Sequence, residues 1–170
     1  MRVLLTLIGF LAVVGLIAAA VFFLGGFYNV AANVKDPGIV EWTLTRVRLS
    51  SVAMHADATP PAGLDDAAKV QDGARAFSAR GCPDCHGAPG VQWEKFSEGI
   101  NPDPPDLKDV VKDRTPAQLF WVIKNGIKMT AMPSFGAIGT PDDEIWSIVA
   151  FARKIATVSD ADFKAWTAPR

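Results

Sequence analysis

Five consecutive residues, Cys82-Pro83-Asp84-Cys85-His86, constrain this chain more than any other stretch. Two cysteines three positions apart with a histidine directly after the second form the attachment pattern for a haem c. Each thiol can add across one vinyl group of the porphyrin, and the two-residue gap lets both sulfurs reach neighbouring edges of the same ring. The adjoining imidazole of His86 then becomes the proximal ligand of the iron. These are the only two cysteines among 170 residues. One haem c is therefore the expected cofactor, and Cys82, Cys85 and His86 are its expected attachment points.

Three other uses of a cysteine pair fit the chain less well. A thioredoxin-like redox pair belongs near a βαβ pattern, which is absent, and the immediate histidine argues against it. A zinc site needs two further ligands, yet His55 and His86 are the only histidines, and their spacing is unlike that of a zinc finger. A disulfide across two intervening residues would close a small, strained ring.

The second constraint is a run of 22 uncharged residues, Val3 to Leu24, which raises the mean hydropathy to +0.19 and the apolar fraction to 49%. As a helix it extends roughly 33 Å at about 1.5 Å per residue, against a hydrocarbon core of about 30 Å. Secretory signals have apolar regions of only about 7–15 residues followed by a small-residue cleavage site. Here Ala18-Ala19-Ala20 lies inside the run, with Val21 to Leu24 still to follow. The expectation is an uncleaved membrane anchor. Arg2 precedes the span while Lys35, Arg46 and Arg48 follow it, so the positive-inside rule sets no orientation. The net charge of −1 and pI of about 6.1 give no reason to expect nucleic acid as a partner.

Gly25-Gly26 ends the span and Phe27-Tyr28 follow, where aromatic rings favour the membrane interface. Ile39 to Ala56 reads as one helix, either a spacer or a segment that docks the haem domain on a membrane partner. Asp57 to Gly63 is a polar, proline-containing linker. Asp65 or Asp66 caps a helix to about Arg80, with Val70, Gly73, Ala74 and Phe77 on one face. Gly87 to Arg114 reads as a long loop, uncommon in a compact domain unless it serves a function. Thr115-Pro116 starts a helix ended by Asn125-Gly126, and Thr140 to Glu144 opens the last one with a cap, a proline and acids. The tail contains Phe163 and Trp166, enough for a short docked helix. Trp93, Trp121 and Trp146 read as packing residues. No run alternates at period two, so no sheet is expected.

From about Asp66 to Val158 the chain resembles the class I cytochrome c family. Gly73 and Phe77 match the glycine and aromatic of that family's first helix, and Ile148 and Phe151 match the pair on its last helix that crosses the first. CPDCH followed by Gly87 is the haem motif, and Pro105-Asp106-Leu107 resembles the Pro-x-Leu element. NGIKMTAMPSF resembles the stretch around the distal methionine. The resemblance implies an all-α cytochrome c fold, three to five helices wrapped around one covalently bound haem, preceded here by a transmembrane helix. It implies that the carbonyl of Pro105 accepts a hydrogen bond from the His86 imidazole, and that Met132 is the second iron ligand. Read from the residues alone, Pro133 stiffens the loop that aims Met132. Met129 and, further off, His55 remain alternatives.

The expected layout is an anchor at 1–26, a juxtamembrane segment at 27–56 and a linker at 57–65. The haem domain follows at 66–158 and a tail at 159–170. His86 with Met132 would saturate the iron, which suits a one-electron carrier and not an enzyme. Haem c maturation, as the resemblance implies, occurs outside the cytoplasm, so the haem domain is expected on the periplasmic face of an inner membrane. Its expected partners are the lipid bilayer and redox proteins, with a quinol-oxidising complex or periplasmic dehydrogenase as donor. The alternatives are a fixed haem subunit of a membrane oxidoreductase or oxidase, and a haem sensor or peroxidase with a labile distal methionine.

Overall fold

Gly73 sits where two helices must touch backbone to backbone. In the computed structural model, which describes residues 1–169, α3 (Ala67–Ala79) crosses α7 (Asp142–Lys154) at this residue. A Cβ at position 73 would fall 1.8 Å from the Ser147 carbonyl oxygen and 2.9 Å from the Phe151 Cβ. Only a residue without a side chain lets the axes approach this closely. Beside the crossing, the rings of Phe77 and Phe151 lie 5.2 Å apart, and Phe151 is fully buried. The helices run antiparallel and are latched at both ends. Arg80 donates to both oxygens of Glu144, at 2.7 and 3.1 Å, while Arg153 pairs with Asp65 at 2.7 Å. These are half-exposed pairs, each worth at most about 1 kcal/mol. Burial of Ile145, Ile148, Val149 and Phe151 stabilises the pair more, at roughly 1.5–3 kcal/mol per side chain.

The rest of this unit is laid on that pair. The pentapeptide Cys82–His86 forms one helical turn, α4, too short to show a period in the sequence. Within the expected loop 87–114 are a 3₁₀ turn at Lys95–Gly99, the four-residue α5 (Leu107–Val110) and a second 3₁₀ turn at Val111–Asp113. Helix α6 (Pro116–Asn125) starts in a full capping box, Thr115 accepting from the Gln118 amide at 3.2 Å and Gln118 accepting from the Thr115 amide at 3.0 Å. Phe120 of α6 stacks on Trp146 of α7, with ring centroids 4.2 Å apart. Helix α8 (Asp160–Thr167) buries Phe163 against Phe151 and packs on α3.

Two details differ from the expected caps. Asp66 occupies the N-cap of α3 without a side-chain bond, and Pro141, not Thr140, is the N-cap of α7. The Thr140 hydroxyl is buried and has no partner. No strand is present among the described residues, only an isolated bridge between Ala88 and Val91. The fold is all-α.

The chain divides into two compact units, Met1–Val34 and a second that begins at Lys35. The first contains α1 (Arg2–Leu24), 23 residues with none buried, long and apolar enough to cross a membrane. The second begins with α2 (Gly38–His55), which buries Val52 and packs its C-terminal half on α6.

Gly73→Ala is expected to lower stability by about 3 kcal/mol, because a backbone oxygen is the atom that must move. Gly99→Ala, where a Cβ meets nothing within 4 Å, is expected to stay within about 0.5 kcal/mol. Denaturant midpoints of the two variants check the contrast.

Candidate haem-binding site

Gly81, at φ +71°, breaks the chain out of α3 and starts α4 at Cys82. One helical turn then carries Cys82, Cys85 and His86, each half-buried and both thiols free. Pro83 fits the first turn of α4, where its missing N–H costs nothing, and it is buried. Burial pushes the Cys82 thiol up to about 12, with Asp84 and Cys85 adding to the rise, and burial raises Cys85 as well. Both sulfurs are thus neutral at pH 7, and a thioether, which has no charged form, suits such a position.

His86 is held from the far side of the loop. Its Nδ1 lies 2.8 Å from the Pro105 carbonyl oxygen. A carbonyl can only accept, so Nδ1 donates, and in the neutral ring Nε2 is the nitrogen with a lone pair for a metal. Pro105 is itself fixed by its neighbours. Asp106 caps α5 by accepting from the Lys108 amide at 2.9 Å, and Leu107 packs on the core.

The two methionines of the second loop differ in setting. Met129 has φ +59° and is 87% exposed, whereas Met132 is half-buried. The Met132 backbone is pinned on two sides. Its amide donates to the Thr130 hydroxyl at 3.1 Å, which itself donates to the Ile127 carbonyl at 2.8 Å, and its carbonyl accepts from the Ile127 amide at 3.2 Å. Gly126, at φ +66°, lets this segment pass: a Cβ there would lie 2.7 Å from the Met132 oxygen and 2.8 Å from the Ser134 amide nitrogen. The loop then caps the open end of α6. Phe135 and Gly136 amides donate to the Ile123 and Lys124 carbonyls at 3.2 and 2.9 Å, and the Ser134 hydroxyl donates to the Lys124 carbonyl at 2.7 Å.

Of the expected residues, the structure therefore joins Cys82, Cys85, His86 and Pro105 in one cluster and sets Met132 in a separate, braced loop. His55 stands apart on α2, its Nδ1 2.8 Å from the Ser51 carbonyl and its ring 6.1 Å from that of Trp121. Gly126, Thr130 and Ser134 lie inside the NGIKMTAMPSF stretch that points to Met132, but nothing in their types marks the bracing each supplies. Asn125-Gly126 reads as a helix end, which it is, but nothing local shows that the Met132 backbone passes over it.

The donor set and its setting fit a haem. Cys82, Leu107, Leu119 and Ile123 all pack against the core yet stay partly exposed, apolar side chains that a haem would cover further. Among the described residues no cluster of three or more His, Cys, Asp or Glu side chains suits a bare metal ion. In protein whose thiols are unmodified, iodoacetamide is expected to label Cys85 faster than Cys82 below pH 9, both rates rising about tenfold per pH unit as thiolate forms. Mass spectrometry of the labelled peptide reads the order. Equal rates would mean that the thiols do not share this difference in burial.

Comparison with curated proteins and with solved structures found no match. Residues 68–151 match the family described as cytochrome C oxidase, cbb3-type, subunit III. That span holds α3 from Ala68, the two thiols, His86, the Pro105 turn, the Met132 loop and α7 as far as Phe151, and it is a class I c-type cytochrome domain.

Proposed function

We propose that the chain is a membrane-tethered c-type cytochrome that passes single electrons on the periplasmic face of an inner membrane. In this reading Cys82 and Cys85 hold the haem through thioethers, and His86 and Met132 are the axial ligands. When bound, the group supplies a one-electron Fe(III)/Fe(II) couple. The observation that carries the reading is the bond from His86 Nδ1 to the Pro105 carbonyl beside two free thiols. That bond fixes the ring orientation and, in the neutral imidazole, makes Nε2 the nitrogen that can hold a metal. The braced Met132 loop supplies a soft sulfur donor at a constrained backbone position, and a thioether favours the reduced metal. The apolar surface of Leu107, Leu119 and Ile123 would exclude water and favour the reduced state further.

The family match over residues 68–151 supports haem electron transfer, and the anchor-length α1 is compatible with attachment to a membrane. The finer proposal is a tethered carrier between a quinol-oxidising complex or periplasmic dehydrogenase and a terminal acceptor. Tethering raises the effective concentration of the haem near membrane partners. The family description favours a second reading, a fixed haem subunit of an oxidase. Purification in mild detergent separates the two. A carrier elutes alone, and a fixed subunit brings the same partner chains at constant ratio.

Cys82→Ala combined with Cys85→Ala is expected to abolish covalent haem staining on a denaturing gel. Met132→Ala is expected to abolish the low-spin His/Met spectrum and lower the potential; an unchanged spectrum would move the ligand to Met129 or His55. Gly126→Ala is expected to weaken the Met132 ligation while leaving the covalent stain intact, because it displaces the loop and not the thiols. Visible spectra and redox titration of the three variants check these outcomes.

A further inference from the structure

Helix α2 shows the protein only one of its sides. Thr45, Arg48, Leu49 and Val52, at helical spacing, are wholly or partly covered, and this half packs on α6. On the opposite side Ile39, Thr43, Val47, Ser50 and Met54 form a stripe at i, i+4, i+8, i+11 and i+15, and all five are exposed. Val47 and Met54 are 61% and 80% exposed. Trp42, 58% exposed, flanks the stripe, and the Arg46 guanidinium lies 5.9 Å from its ring centroid. The stripe itself carries no charge. Glu41, the only acid of α2, falls in line with Thr45, Arg48 and Val52 on the covered side.

What covers this stripe is indicated by chain length, charge and side-chain chemistry together. Between Leu24 and Gly38 lie residues 25–37, thirteen in all, a connection that reaches at most about 45 Å, so α2 is within range of the surface that holds α1. Those thirteen include Phe27 and Tyr28, residues suited to a membrane interface. On the α2 side of the span, residues 25–56 carry three bases and two acids, whereas residues 57–170 carry 13 bases and 16 acids. An anionic lipid surface attracts the first part and repels the second. An exposed indole with a guanidinium at its face is the pairing expected at headgroup level, ring towards the acyl chains and cation towards phosphate. A stripe of Ile, Thr, Val, Ser and Met with no large aromatic or Arg anchor of its own suits a fluid surface better than a shaped protein partner.

We propose that α2 is an interfacial helix that lies in the headgroup layer of the bilayer, with the stripe Ile39–Val47–Met54 towards the acyl chains. It gives the haem unit a second lipid contact and fixes which side of that unit faces the membrane, since α2 is packed on α6. The inference rests on the reading of α1 as an anchor. The test uses the unaltered chain in vesicles of phosphatidylcholine and phosphatidylglycerol doped with a phospholipid carrying a diazirine near its carbonyl. After illumination, peptide mapping is expected to find lipid adducts in α1 and also on Ile39, Trp42, Val47 or Met54, with none on α3. Val47→Asp is expected to lose the α2 adducts while keeping those of α1 and the haem spectrum. Adducts confined to α1 would overturn the proposal. So would chain-to-chain cross-links through α2 in place of lipid adducts, which would assign the stripe to a second copy. Absence of adducts from α1 would instead overturn the anchor reading.

Discussion

Everything in the second unit hangs on the approach of α3 to α7 at Gly73. The contact is made by a missing side chain: the Ser147 carbonyl occupies the space where any other residue would place a Cβ. From that point the Phe77, Phe151 and Phe163 rings pack outward, and α8 closes on the far side of α3. The end of α3 then fixes where α4 begins. The crossing thus sets the position of both thiols, although none of its residues belongs to the site.

The proposed site draws on two loops that are each made rigid by different means. Around Pro105, a capped turn and one partly buried leucine hold a carbonyl in place, and that carbonyl orients the His86 ring. Around Met132, glycine at position 126 allows a backbone contact that side-chain hydroxyls from Thr130 and Ser134 then secure. In both cases backbone groups do the positioning, so the bearing residues are short or polar and look ordinary in sequence.

This explains which features are legible in the sequence. Helical periodicity and caps locate α3, α6 and α7, because Val70-Gly73-Ala74-Phe77 and Thr115-Pro116 are local signals. The CPDCH pentapeptide and the Pro105 contact are legible through motif and resemblance, and the tail's Phe163 announces a docked helix. What local pattern does not show is tertiary in origin. Thr140 is a reasonable cap by type, yet the entry angle of α7 puts Pro141 at that position. The short helical turns within 87–114 are too brief to produce a period. The bracing of Met132 against Gly126 joins residues whose contact arises only when the loop folds back.

That bracing also changes what kind of object the methionine loop is. The amides of Phe135 and Gly136 and the hydroxyl of Ser134 satisfy the last carbonyls of α6, so the loop and the final turn of the helix are one hydrogen-bonded body. Lifting Met132 away would strip those carbonyls of their partners and fray α6 from its C-terminal end. The loop and the last turn of α6 therefore hold or loosen together, and the methionine does not sit on a flap that opens on its own.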